Sequence, residues 1–418
     1  MKTVLIIAHL FHASPRIPGL AKYLPEFGWQ PIVLTPPLGQ DPSSQFGPPN
    51  DFKEKNRVIE TLGYSTPYGK KRLASKKYRK IRPVLKFFYR HYQEMVQYPD
   101  AEKRWKPFAV KTGNEFLQKE HVDAILSSSS PATAHIIAKE LKEKHEIPWI
   151  ADFRDPWTQS HNYSYSRIRK LFEERLELDT LSSAEALVTT SKYWANNLKI
   201  LHKKPVHVVT NGFDPELMKK GRINLTKNFT ITYTGQIYPR KQDPAKLLSA
   251  LKTLISGGEI DAKDVEIRFF GPENEPLNRE TERLGLSGIV RQYGVISREM
   301  SFEKQRESQV LLLLNWDDPQ EKGVFTGKIF EYLASKRPIL ATGGFGGDVV
   351  QDLLVETNSG IYCSKVEEIA DAVKNLYLEY KSNGNVTYRG IVEKINKYSY
   401  REMARNFAKI LDGLTERK

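Results

Sequence analysis

The stretch FTGKIFEYLASKRPIL, residues 325–340, decides the fold. Gly327 and Lys328 sit in a turn, and Ile329, Phe330, Leu333 and Ala334 follow at helical spacing on one apolar face. Lys336, Arg337 and Pro338 end the helix, because proline disfavours helical geometry in the residue before it. An apolar strand begins at Ile339. Upstream, VLLLLNW (310–316) is a continuous apolar run of strand length. Strand, helix and strand in this order, with strands apolar on both faces, is the unit of a parallel sheet covered by helices.

The same alternation recurs on both sides. The first half offers strands at VLIIA (4–8), PIVLT (31–35), VIETL (58–62), HVDAILSSSS (121–130), PWIADFRDPW (148–157), ALVTTS (186–191) and VHVVTNGFD (206–214), with helical patterns between most of them. The second half restarts at FTITYTG (229–235) and continues through VEIRFFGP (265–272), GIVRQYG (288–294), VLLLLNW and RPILATGGFGGD (337–348). Two such series predict an α/β chain with two doubly wound, Rossmann-like domains. The expected boundaries are 1–215, 216–395 and a C-terminal helix at 396–418 that crosses back to the N-domain. In such sheets ligands sit at the carboxyl ends of the strands, and the facing ends of two domains form a cleft.

Composition narrows the function. With 418 residues, 39% of them hydrophobic, the chain affords sizeable cores. The single cysteine, Cys363, excludes a disulfide within the chain and argues against a cysteine-based metal site, which suits a cytoplasmic location. The N-terminal run MKTVLIIAHLF breaks at His9 and reads as a first strand, and no run reaches transmembrane length. The formal charge of +14 points to an anionic partner. Lys70 to Arg90 holds ten Lys/Arg and no Asp/Glu, with aromatics interleaved. That stretch fits either a helix on an anionic membrane surface or a solvated basic face. No RNA-binding signature accompanies it.

Four motifs carry the chemistry. In FTGKIFE, Thr326 and Gly327 present helix N-terminal N–H groups, Lys328 adds a charge, and Glu331 lies one turn on, placed to accept from ribose hydroxyls. A capped surface helix with a Lys–Glu pair is the competing reading. A phosphate-binding loop of the G-x-x-x-x-G-K-[ST] type is excluded, because Gly323 and Gly327 are too close and Ile329 follows the lysine. In TGQIYPRKQDP (234–244), Arg240 and Lys241 follow the strand-ending Gly235, a cation pair suited to a diphosphate. DFRDPW places Asp152, Arg154 and Asp155 at a strand end, where a carboxylate can orient an acceptor hydroxyl; a structural Asp–Arg turn is the alternative. SSSSPATAH offers Ser130 and helix-start N–H groups, with His135 inside that helix, structural or acceptor-binding. Ser14 and Arg16 flank the end of the first strand. There is no D-x-D metal signature.

The order strand–TG–loop–RK, strand–FFGPE, VFTGKIFEYLASKRPIL resembles the C-terminal domain of retaining GT-B glycosyltransferases, specifically the family 4 group that assembles bacterial cell-surface polysaccharides. ADFRDPW, VTTSKYWANNL and NGFD are similar to that group's N-domain and hinge. The resemblance implies that Arg240 and Lys241 neutralise the donor's diphosphate, that Thr326, Gly327 and Lys328 lie beside the phosphates, that Glu331 holds ribose, and that Gly271 and Pro272 lie near the base. Ser14 and Arg16 would face the diphosphate. The family pattern of two glutamates separated by seven residues departs here: the first position is Gly323, and the nearest acid is Glu321.

The implied activity is transfer of a sugar from a nucleotide-diphosphate donor to a saccharide acceptor, either free or lipid-linked, with retention and without a metal or other cofactor. The expected place is the cytoplasm, at the inner face of the membrane. Two alternatives stand: a nucleotide-sugar epimerase or hydrolase on the same fold, and a non-catalytic nucleotide- or glycan-binding protein.

Overall fold

The computed structural model describes residues 1–9, 15–38, 51–62, 92, 94–160, 163, 165–219, 221, 224–239 and 241–416. Ser14, Arg240 and the basic stretch 70–90 lie outside the described residues. The chain forms two compact units, Met1–Thr210 with Tyr400–Lys418, and Asn211–Ser399.

In the first unit, β1 (Lys2–Ala8), β2 (Trp29–Thr35), β3 (Arg57–Glu60), β4 (Ala124–Ser129), β5 (Trp149–Phe153), β6 (Ala186–Thr189) and β7 (Val206–Val208) form a parallel sheet in the order β3-β2-β1-β4-β5-β6-β7. β1 shows why its apolar run is unbroken. Val4 and Ile6 join the core on one face, and Leu5 and Ile7 join the core on the other. Both faces are covered, so alternation is absent from the sequence.

The C-terminal helix Tyr400–Thr415 belongs to this first unit, as expected. It buries Met403, Phe407 and Leu411 beside Leu20 of helix Arg16–Tyr23. The two helices approach closely at Gly19, where an added Cβ would lie 2.5 Å from the ring of Tyr400.

The second unit holds β8 (Phe229–Thr234), β9 (Val265–Phe270), β10 (Val290–Gln292), β11 (Val310–Leu314), β12 (Ile339–Thr342) and β13 (Gly360–Cys363), parallel and ordered β10-β9-β8-β11-β12-β13. Its sheet too has a core on each side, with Leu312 and Leu314 facing one and Leu311 and Leu313 the other. The strand order reverses direction between β1 and β4 and between β8 and β11, so those carboxyl ends are where such sheets bind ligands. The strand β13 and the helix Val349–Thr357 before it were not foreseen from the sequence.

Candidate functional site

The second unit gathers most of the residues singled out around 325–331. β8 ends at Thr234, and Gly235 turns the chain with a φ of +110°, a region open to glycine. An added Cβ there would lie 2.5 Å from Cε of Lys328, so the lysine stem rests directly on the turn. Gly271, at the end of β9, comes closer still: its Cβ would meet the carbonyl oxygen of Gly235 at 2.2 Å. Gly271 is therefore required by close packing of two strand ends, whereas Gly235 is favoured by its positive φ and meets only the flexible stem of Lys328. Pro272 follows, exposed.

Helix Gly327–Ser335 starts here. Thr326 is its N-cap residue, but its side chain makes no cap bond. The buried Oγ1 of Thr326 has no hydrogen-bond partner among the described residues. Lys328 lies over the rings of Tyr233 and Tyr238, at 5.3 and 5.8 Å from their centroids. Burial pushes its ammonium down to about 8, with Glu331 acting in the opposite sense. A half-buried cation, an unengaged hydroxyl and a helix N-terminus thus adjoin one another, the chemistry of an anion seat. One turn on, Glu331 pairs with Nη2 of Arg298 at 3.2 Å, an ion pair open to solvent.

Lys241 lies nearby in sequence to this turn but is differently engaged. Its ammonium is 3.0 Å from Oε1 of the buried Glu321 and 4.6 Å from the ring centre of Trp316. Tyr238 stacks on the same indole, with centroids 5.5 Å apart. Neither Trp316 nor Tyr238 was foreseen as part of this group, because nothing in the sequence marks which aromatic will lie under a given cation. Glu321, noted only as the nearest acid, proves to be the partner of Lys241.

In the first unit the expected acceptor group divides. Asp152 and Arg16 are joined in a fully buried bidentate pair: Arg16 Nε and Nη2 donate to Asp152 Oδ2 and Oδ1 at 3.0 and 2.8 Å. Ser128 donates a third bond to Asp152, and Arg16 also donates to the carbonyls of Val209 and Thr210. These two side chains tie strand ends and a helix together, and they offer no open face to a hydroxyl or a diphosphate. Arg154 is buried as well and donates to the carbonyls of Ser129 and Ser130, bracing that loop. Ser130 and Asp155 are exposed.

The ring of His135 is sealed, with Nδ1 at 2.7 Å from Ser127 Oγ, and burial pushes its pKa down to about 3. It stays neutral across the ordinary pH range. The amide at the start of its helix is not open either, because Asp100 accepts from the Thr133 N–H and hydroxyl, each at 2.8 Å. Among the described residues, no group of three or more His, Cys, Asp or Glu is placed to hold a metal ion. None of the described helices is long and apolar enough to cross a membrane.

Residues 17–217 match the Glycosyltransferase Family 4 domain. No curated protein matches the chain. Among solved structures, the chain is similar in fold to sucrose-phosphate synthase from Thermosynechococcus elongatus, with a TM-score of 0.67, 12% identity and 100% of both chains covered. A glycosyltransferase from Rickettsia africae gives a TM-score of 0.65 at 15% identity, covering 100% of this chain and 99% of that one. Anabaena HepE, solved in complex with UDP and glucose, gives 0.63 at 12% identity over 99% of this chain and 100% of its own. These likenesses place the two parallel-sheet units in the GT-B fold.

Proposed function

We propose that the chain is a retaining glycosyltransferase, which moves a sugar from a uridine-diphosphate donor to a saccharide acceptor carried on lipid. Its setting is surface polysaccharide assembly in a bacterium, at the cytoplasmic face of the membrane. The Glycosyltransferase Family 4 match over 17–217 and the UDP complex of the HepE fold relative support this reading. The resemblance of the motifs supports retention.

The observation that carries the proposal is the seating of Lys328 on Gly235 at an uncapped helix N-terminus. In the reaction the sugar leaves a diphosphate, and negative charge grows on it. Lys328 and the N–H groups of helix Gly327–Ser335 stabilise that charge in a partly desolvated place, where preorganised charges act most strongly, and the sequence pair Arg240–Lys241 supplies further positive charge for the diphosphate. Glu331 accepts from the ribose hydroxyls, exchanging its pair with Arg298 for them. Gly271 and Pro272 border the base. On the acceptor side, exposed Asp155 and Ser130 meet the acceptor, while Asp152, Arg16 and Arg154 hold the loops that carry them. The departing diphosphate itself takes the acceptor's proton.

The test is an assay of UDP release from UDP-sugars with and without saccharide acceptors, in wild type and Lys328→Met. Acceptor-dependent UDP release, reduced about 10²–10³-fold in the variant as for loss of one preorganised donor, is the expected result. UDP release that needs no acceptor would assign the chain to hydrolysis or epimerisation instead. Nucleotide binding without any turnover would make it a binding protein.

A further inference from the structure

The helix Arg167–Leu181 is built with its polarity reversed. Arg169, Glu173 and Glu177 recur at four-residue spacing and are buried. Ile168, Leu171 and Phe172 are 71%, 71% and 61% exposed. A surface helix ordinarily does the opposite.

The inward charges have partners within the chain. Arg169 Nε donates to Glu173 Oε2 at 2.9 Å, and its guanidinium donates to the carbonyls of Glu94, Gln97 and Pro99. Trp157 donates to Glu173, the Thr158 amide donates to Glu177, and His202 lies 3.1 Å from Glu177. This charged stripe holds residues 94–99 and the segment after β5 in place. The outward stripe does no such work. It extends to Leu178, and Met95, 71% exposed, stands on the segment laced to the same helix. An apolar face kept in water while charges are buried behind it marks a contact surface.

We propose that this face seats in the interfacial zone of an anionic lipid bilayer, with Leu171 and Phe172 entering the acyl boundary. Charge chooses lipid over protein. Arg167 and Arg175 are exposed on the same helix, and half-buried Lys170 is offset by half-buried Glu174, which leaves the helix surface basic. Asp179, the exposed acid at the far end, is paired with Lys139 at 2.8 Å. Size points the same way. From Ile168 to Leu178 the stripe is about 15 Å long, whereas a stable protein interface uses about 20–30 residues a side. An interfacial helix needs only its apolar face, buried about 5–10 Å deep and flanked by cations. This inference deepens the membrane location proposed above and rests on it, but it places the contact on the helix Arg167–Leu181 rather than on the basic stretch 70–90.

The test is co-sedimentation of the full chain with vesicles of phosphatidylglycerol and phosphatidylcholine, against phosphatidylcholine alone. Wild type is expected on the anionic vesicles. The double variant Leu171→Ser/Phe172→Ser is expected to lower the partition constant about tenfold or more, with its circular dichroism and unfolding midpoint unchanged. Arg175→Gln should give a smaller loss that added salt reproduces. A double variant that binds like wild type overturns the proposal. If it does so while glutamine at the ten basic positions of 70–90 abolishes binding, the membrane location stands and this helix is not the contact. If wild type ignores anionic vesicles, both fall. A wild-type dimer in light scattering that the double variant dissolves would assign the face to a second copy and also overturn the lipid reading.

Discussion

At Lys328 three effects meet on one nitrogen: burial, the rings of Tyr233 and Tyr238, and the N-terminus of its own helix. The sequence shows this residue well, because the helix start, the cation and Glu331 are neighbours in the chain. The glycine beneath it is a sharper probe than the lysine itself. Gly235→Ala places a methyl group against the flexible stem of Lys328 and strains a positive φ. The fold should survive at a cost of about 1–3 kcal/mol, while nucleotide affinity drops because the ammonium is displaced; calorimetric unfolding and UDP titration on one sample separate the two effects. Glu331→Ala should weaken UDP by about 1.5–3 kcal/mol, the worth of a hydrogen bond to a charged group, and leave the unfolding midpoint nearly unchanged. A variant that lost stability but bound UDP normally would contradict the ribose role.

Other residues in the candidate site were opaque in the sequence, for a physical reason. Asp152 and Arg16 read as acceptor groups because both stand near strand ends. Their pairing spans 136 positions and depends on how β1 and β5 lie in one sheet. The link of Asp100 to Thr133 spans 33 positions in the same way. Asp152→Ala leaves Arg16 as an uncompensated buried charge, so it should cost about 3–5 kcal/mol of stability. Chemical denaturation checks this, and Asp155→Ala is the control, expected to reduce turnover without that loss.

At the scale of elements, legibility followed burial. Continuous apolar runs such as VLIIA and VLLLLNW announced their strands, since both of their faces are covered. The edge strand β13, GIYC, has one buried residue in four and gave no such signal. The short helix before it was hidden by the glycine-rich segment 343–347, which reads as loop; its start is fixed by Asp348, whose Oδ1 accepts from the amides of Val350 and Gln351. The C-terminal helix was readable as a helix, and its return to the first unit is explained by what it buries. Phe407 is fully buried and lies 5.2 Å from the guanidinium of Arg16. Phe407→Ala should destabilise the first unit by about 3–5 kcal/mol, seen as a lower unfolding midpoint. An unchanged midpoint would mean that this helix is not part of the core it appears in.

For the whole molecule the central claim is that a nucleotide diphosphate binds where Lys328 sits, and pH gives it a signature. Burial lowers the lysine's pKa in the free protein to about 8, and a bound diphosphate favours the charged form. Two consequences follow from the same shift. The unfolded chain binds more protons at this group between about pH 8 and the ordinary lysine value of about 10.4, so the group's contribution to stability rises with pH across that window. Diphosphate affinity moves the other way, falling by about 1.36 kcal/mol per pH unit above 8, since the proton must be restored on binding. The most direct measurement is calorimetric titration of UDP between pH 7 and 9.5 in wild type and Lys328→Met. The account predicts a wild-type affinity that is level below pH 8 and declines about tenfold per unit above it, and a variant that binds weakly without that decline. Equal affinity and equal pH dependence in the two proteins, or no UDP binding to wild type at any pH, would contradict it.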